Sequence, residues 1–235
     1  MNKVVVISGG TKGIGRAIAD KFAELGYDVC VCARSEASLS EMGKVWFEKY
    51  PKTLFKGFKA DVSRIEEVKA FADFVLSNFN SIDVLVNNAG QFIQSEVHTA
   101  KDGQLEQQIE SNLYSAFYLT RSFVSNLKEY KKAHIFNMCS VASLLAYPNG
   151  GLYSISKFAL LGFTKSLRQE LMSYNIKVTA VIPGATWSDS WAGVDLPESR
   201  LMPAQDIAQM IYSSTLLSDA SVVEEIIIRP QLGDL

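Results

Sequence analysis

Val4-Val5-Val6-Ile7-Ser8-Gly9-Gly10-Thr11-Lys12-Gly13-Ile14-Gly15-Arg16 stands at the head of the chain. The run Val4 to Ser8 reads as a short strand covered on both faces, because it shows no polar alternation. The glycines that follow let the backbone turn tightly and come close to a bound group. A helical period begins at once, with Ile14, Ile18, Phe22 and Leu25 on one stripe. Strand, glycine turn and helix in that order aim the positive end of the helix at an anion in the turn. The spacing Gly9-x-x-x-Gly13-x-Gly15 is not the commonest dinucleotide fingerprint, and by itself it also describes a turn with a helix cap. Its place between a first strand and a first helix favours the phosphate-binding reading, with Thr11, Lys12 and Ile14 in the same turn.

The same unit recurs to the end of the chain. Strands are predicted over 4–8, 29–33, 54–59, 84–87, 134–139, 178–182 and 225–228, separated by amphipathic stretches. Ile65, Val68, Ala72, Val75 and Phe79 make a second helical stripe, and 154–174 reads as one long helix. Alternating strands and helices imply an α/β fold, a doubly wound parallel sheet between two helical layers, with ligands at the carboxyl ends of the strands. No repeat or linker divides residues 1–235, so a single dinucleotide-binding and catalytic domain is expected. Residues 184–202, rich in Ser, Asp, Trp and Pro, resist assignment and are read as a substrate-covering loop.

Composition narrows the function. Hydrophobic residues make up 48% and charged residues 20% of the 235, with a formal net charge of -2 and no basic block. Nothing there recommends a nucleic-acid or membrane partner. The apolar run at Val4 is too short for a signal-peptide core or a membrane span. Cys30, Cys32 and Cys139 lack disulfide or metal spacing, and His98 and His134 have no ligand partners in the sequence. A cytoplasmic protein without metal or disulfides is expected.

The second strand ends at Ala33-Arg34-Ser35, where the adenosine ribose of a bound dinucleotide should lie. An acid there would hold a free 2′-hydroxyl, but the chain has Arg34, whose planar fork suits a 2′-phosphate. Lys12 adds a second cation, although each is also an ordinary solvated surface charge. The pair favours NADP(H) over NAD(H).

Tyr153-Ser154-Ile155-Ser156-Lys157 opens the long helix and puts a phenol and an ammonium on one face, at i and i+4. A tyrosine needs such a neighbour to act as acid and base near neutrality, since its unperturbed pKa is about 10. Lys157, with the positive nicotinamide ring of an oxidised cofactor, is expected to lower it. Ser140 follows a strand and so faces the same cleft, where its hydroxyl can steady charge on a carbonyl oxygen. Asn112, on a preceding helical segment, is a candidate to hold a water linking Lys157 to solvent. Cys139 reads as a small strand residue, and Phe117, Tyr118 and Phe123 as core or subunit contact.

On Gly9, Gly13 and Gly15, Asp61-Val62, Asn87-Asn88-Ala89-Gly90, Asn112, Ser140, Tyr153-x-x-x-Lys157 and Pro183-Gly184, the chain resembles the short-chain dehydrogenase/reductase family almost throughout. The resemblance implies a three-layer Rossmann fold with seven parallel strands and a Ser140, Tyr153, Lys157 and Asn112 tetrad. It implies that Asp61 and Val62 line the adenine, and that Asn88, Ala89 and Gly90 support the central strand and the adenosine side. By the same resemblance, Lys157 holds the nicotinamide ribose, and Pro183 and Gly184 lie beside the nicotinamide. It also implies a homodimer or homotetramer. Where the family often has a threonine just after Pro-Gly for the carboxamide, this chain reads Ala185-Thr186-Trp187-Ser188, leaving Thr186 and Ser188 as candidates.

Tyr147, Trp187, Asp189 and Trp191 are candidates for an aromatic pocket with one carboxylate, suited to a flat hydrogen-bonding heterocycle; the alternative is that the tryptophans pack the loop onto the domain. The stretch 183–191, with Met202-Pro203, residues 223–230 and Gly233-Asp234, is similar to bacterial sepiapterin reductase-like members. The expected reaction interconverts a small-molecule carbonyl and alcohol, on a pterin side-chain ketone in that reading. A 3-oxoacyl-carrier-protein reductase is the competing activity. A non-catalytic NADPH-binding redox sensor is the alternative outside the enzymes.

Overall fold

The computed structural model describes residues 2–130, 132–188, 191 and 193–234. Seven strands form one sheet: β1 (Val4–Ser8), β2 (Asp28–Ala33), β3 (Phe55–Lys59), β4 (Val84–Asn87), β5 (His134–Met138), β6 (Lys177–Pro183) and β7 (Glu225–Ile228). Their order is β3-β2-β1-β4-β5-β6-β7, and every neighbouring pair is parallel. The order reverses between β1 and β4, so a crevice opens there at the carboxyl ends of the strands.

Alternate residues of the strands feed two cores. Val5 and Ile7 of β1 and Val29 and Val31 of β2 pack with α1 (Gly13–Glu24), α2 (Glu36–Lys49) and, later in the chain, α7 (Ala204–Thr215). Val4, Val6, Cys30 and Cys32 face the other layer, made by α3 (Ile65–Asn78), α5 (Ser115–Tyr130) and α6 (Gly151–Leu171). The two cysteines do share a face, as buried free thiols. Short α4 (Gln104–Ile109) runs into α5 through a π-helical turn, Glu110–Tyr114, that carries Asn112.

The expected stripes are covered out to Ile14 and Phe79, with one exposed residue in each. Ile18 and Phe22 are buried, but Leu25 is exposed at the end of α1; Val68, Ala72 and Val75 are buried, but Ile65 is exposed at the start of α3. A terminal residue has a neighbouring helical turn on one side only, so less of it is covered. Helix α2 was not among the named stripes. It is anchored by Trp46, fully buried, whose Nε1 donates to Thr53 Oγ1 at 3.0 Å.

His134 shows what the core does to a titratable group. It is buried at the start of β5, stacked on Phe136 with ring centroids 4.0 Å apart. Its Nε2 lies 2.7 Å from Thr179 Oγ1, which donates its own proton to Val223 O at 2.6 Å. The imidazole must therefore carry its proton on Nε2, and Nδ1 is left buried with no hydrogen-bond partner. Burial, helped by the charge of Lys177, holds the imidazole pKa down to about 3. The unfolded chain thus takes up this proton first, so its contribution to stability is full above about pH 6.5 and is lost toward pH 3. Urea unfolding from pH 6 to 4 should show wild type losing stability faster than His134→Gln, by up to about 1.4 kcal/mol per pH unit. Parallel profiles would mean that His134 is not held neutral.

Candidate active site

The crevice begins at the end of β1. Ser8 Oγ accepts the N–H groups of Asn88 at 3.1 Å and Ala89 at 3.0 Å. In return, Asn88 Nδ2 donates to the carbonyls of Ser8 and Gly9, both at 2.9 Å. Gly9 and Gly13 have φ of +68° and +55°, a region that side chains disfavour. Gly15 is needed for a different reason: a Cβ there would lie 2.2 Å from the Gly9 carbonyl oxygen and 2.4 Å from Asn88 Nδ2. Helix α1 starts at this loop with no side-chain cap, so its first N–H groups are oriented for an anion. Thr11 is half-buried and Lys12 exposed on the loop. Gly9 N–H reaches Cys32 O at 2.9 Å, bringing the end of β2 and the exposed Arg34 beside the loop. Val62 is buried, and Asp61 accepts from Ser63 N–H and hydroxyl at 3.0 and 2.7 Å, in the turn leading to α3.

The other wall is the end of β5 and the start of α6. Ser140 closes β5, and its hydroxyl meets the phenol of Tyr153. Lys157, 5% exposed, donates from Nζ to Met138 O at 2.7 Å and lies 5.6 Å from the Tyr153 ring centroid. Asn112 is held on both edges of Gln91, accepting its N–H at 2.8 Å and donating to its carbonyl at 3.0 Å, and it donates to Ser156 Oγ at 2.9 Å. Gly90 completes the group: a Cβ on it would stand 2.8 Å from Asn112 Oδ1 and 3.6 Å from Lys157 Nζ. The fold thus brings Gly90, Asn112, Ser140, Tyr153 and Lys157 to one place.

In the cofactor-free protein the Tyr153 phenol lies above its ordinary range. Burial pushes the phenol up to about 12 against the opposing hydrogen bond from Ser140, and burial pulls Lys157 down to about 8. Lys157, at about 8, gives up its own proton before a phenol at about 12 ionises, so in the cofactor-free protein its charge does not hold a phenolate.

Aromatic residues flank the phenol. Phe92 meets Tyr153 edge to face, with centroids 5.2 Å apart, and Tyr147 lies against Gly150 close enough to Tyr153 for the two phenols to repel as anions. Loops 91–97 and 147–151 are joined by Ser95 N–H to Asn149 O at 3.0 Å and Gly151 N–H to Ser95 O at 3.1 Å. Phe92 and Ser8 were missed in the sequence; a lone aromatic after Asn-Asn-Ala-Gly and a serine ending an apolar strand give no periodic signal.

The loop after β6 carries Trp187 and Ser188 toward the starts of α1 and α7. Thr186 is buried, and its hydroxyl donates to Gly184 O at 3.0 Å, while Ser188 lies 3.8 Å from where a Cβ on Gly13 would be. Trp187 lines a cleft of about 590 Å³ with Gly13, Arg16, Ala17, Asp20, Leu196, Pro203, Ala204 and Gln205, between the starts of α1 and α7. Trp191 is half-buried and accepts the Val194 N–H at 3.2 Å within the loop; Asp189 lies outside the described residues. The buried Pro183 and the adjoining Gly184 face the C-terminal segment, where Asp234 Oδ1 lies 2.2 Å from the position of a Gly184 Cβ.

A glycine loop at the switch point of a parallel sheet, with Ser140, Tyr153 and Lys157 gathered at the strand ends, defines a Rossmann-type oxidoreductase domain. The chain belongs to the short chain dehydrogenase family, which matches residues 3–198. It is 30% identical to sepiapterin reductase of Chlorobaculum tepidum over 241 residues, covering 100% of this chain and 99% of that one. It is 33% identical to 3alpha-hydroxysteroid dehydrogenase of Mediterraneibacter gnavus over 202 residues, covering 86% and 80%. Among solved structures, alcohol dehydrogenase from the archaeon Thermococcus sibiricus, complexed with 5-hydroxy-NADP, superposes with a TM-score of 0.91 at 26% identity, covering 100% and 99%.

Lys157 gives a test that needs no substrate. Its folded pKa lies below the unfolded value of 10.5, so the cost of burying the ammonium is fully present below about pH 8 and fades as pH rises toward 10.5. Lys157→Met should therefore stabilise the cofactor-free protein at pH 7 by about 2 kcal/mol in urea unfolding. A less stable variant would show that the bond to Met138 O outweighs desolvation.

Proposed function

We propose that the chain interconverts a carbonyl and an alcohol with NADP(H), on a small molecule with a flat heterocyclic or apolar body. The observation that carries this reading is the gathering of the Ser140 hydroxyl, the Tyr153 phenol and the Lys157 ammonium beside Gly90 at the strand ends. The dinucleotide supplies or accepts the hydride when bound. The residues fit it: the uncapped start of α1 and Gly9, Gly13 and Gly15 suit a pyrophosphate, and Lys12 and Arg34 suit a 2′-phosphate. Lys157 would hold the nicotinamide ribose and Asn112 a water linking Lys157 to solvent, with Thr186 or Ser188 toward the carboxamide. Asp61 and Val62 would line the adenine and Asn88 and Ala89 the adenosine side, while Gly90 stands by Asn112 and Lys157 at the other end.

Tyr153 delivers the proton to the carbonyl oxygen in reduction, and a phenol raised to about 12 is fully protonated for that task at neutral pH. Oxidation needs the phenolate, which the positive ring of the oxidised nicotinamide favours. Ser140 donates a hydrogen bond to the same oxygen. Phe92 and Tyr147 form the wall against which the substrate lies. The full-length similarity to a sepiapterin reductase supports a pterin side-chain ketone as the substrate. Exposed Tyr114, Ile155 and Phe158, along the π-turn and α6, support association into a homodimer or homotetramer.

NADPH oxidation followed by absorbance, with sepiapterin, a 3-oxoacyl thioester and simple diketones, tests the reading. Tyr153→Phe should cut turnover by roughly 10²-fold or more while retaining NADPH binding. Undiminished turnover in that variant would overturn the assignment of the proton, and preference for the thioester would move the substrate to acyl-carrier chemistry. Arg34→Asp should weaken NADPH binding by about 2 kcal/mol, read by fluorescence titration. Equal affinity would remove Arg34 from the 2′-phosphate site.

A further inference from the structure

Beneath Ser140 stands a column of polar side chains in the core. Asn87 Nδ2 donates to Thr120 Oγ1 at 2.9 Å and Asn137 Oδ1 at 2.7 Å. Asn137 Nδ2 donates to Thr164 Oγ1 at 2.9 Å, and Thr164 and Ser143 both hydrogen-bond with the Cys139 thiol. Asn137 and Thr164 are fully buried and Ser143 is 1% exposed, a costly placement unless each group finds a partner.

Ser143 is the top of this column. Its Oγ accepts the N–H of Ser140 at 3.2 Å, while Ser140 Oγ accepts the N–H of Ala142 at 3.2 Å. The two serines thus cap the short 3₁₀ turn Val141–Ser143 reciprocally. A hydroxyl has one proton and two lone pairs. With one lone pair of Ser140 turned to Ala142, its proton is directed away from the turn, and the group it meets there is the Tyr153 phenol.

We propose that Ser143 is a positioning residue for Ser140: by holding the Ser140 peptide N–H, it fixes the rotation that presents the Ser140 hydroxyl proton to the Tyr153 oxygen and to a substrate oxygen bound beside it. This rests on the reading of Ser140 and Tyr153 as the groups that handle the substrate oxygen. Ser143 touches neither substrate nor cofactor in this arrangement. It acts through Ser140 alone, with Cys139, Thr164 and Asn137 supporting it from below.

The test combines Ser143→Ala, Ser143→Thr, Ser140→Ala and the Ser143→Ala/Ser140→Ala double variant. Tyr153 is followed by NMR of ¹³Cζ-labelled tyrosine, its resonance assigned by its loss in Tyr153→Phe. In the cofactor-free protein, Ser143→Ala should keep the circular dichroism of the fold and move the Tyr153 resonance, with its titration shifted upward as the Ser140 hydrogen bond weakens. It should lower kcat for carbonyl reduction about tenfold with the KM for NADPH unchanged. Ser143→Thr, which keeps the acceptor, should recover most of the rate, and Ser143→Ala should cost nothing further once Ser140 is alanine. An equal loss of kcat in the Ser140→Ala background, or an unmoved Tyr153 resonance, overturns the proposal. If Ser143→Ala does not fold, Ser143→Cys, a weaker acceptor of similar size, gives the same readings. Ser140→Ala and Tyr153→Phe leaving turnover intact would sink the functional reading instead, while the resonance still decides whether Ser143 orients Ser140.

Discussion

One side-chain amide holds the crevice together. Asn88, at the end of β4, spans the carbonyls of Ser8 and Gly9, and the Ser8 hydroxyl answers by taking the N–H groups of Asn88 and Ala89. The loop is pulled against β4 so closely that no Cβ fits on Gly15, which puts the start of α1 directly over the strand ends. This works only because β4 lies next to β1 in the sheet. The adjacency that makes the switch point also makes the phosphate-facing loop rigid, and the positive end of α1 is aimed by it.

The wall made by the end of β5 and the start of α6 is built in the opposite spirit, from groups kept in states they would not choose in water. Lys157 is an ammonium at 5% exposure, and Tyr153 is a phenol that burial makes a weaker acid. Asn112 sits in a π-helical turn, an irregularity common at functional sites. These departures are tolerated because the surrounding layers are regular and apolar, and they persist because each polar atom is given a partner such as Met138 O or Gln91. The buried Lys157 ammonium costs stability to keep in that place.

The loop after β6 depends on segments distant in sequence. Arg200, at the end of the loop after β6, donates to Gly233 O at 2.8 Å and Asp234 O at 3.2 Å, and Asp234 is paired with Arg229. The C-terminal segment in turn crowds Gly184 at the end of β6. The loop is therefore tied to the tail as well as to the glycine turn, where Ser188 and Trp187 lie. An aromatic composition alone does not say which cleft the aromatics will line, and here Trp187 lines the one between α1 and α7.

By itself the sequence determined the strands to within a residue or two at each end, the glycine turn, and the shared face of Tyr153 and Lys157. All of these follow from backbone periods and φ preferences that act over a few residues. It also placed Ser140 at a strand end, which is a local fact. Only the tertiary structure decided that Ser8 would meet Asn88, 80 residues away, that Phe92 would lie edge-on to Tyr153, and that Ser143 would hold Ser140. It likewise decided that Tyr153 and Lys157 would be desolvated together, which raises the phenol in the cofactor-free protein. The reason is the same in each case: contact and desolvation depend on which strands and loops pack together. No period of two or 3.6 residues carries that information.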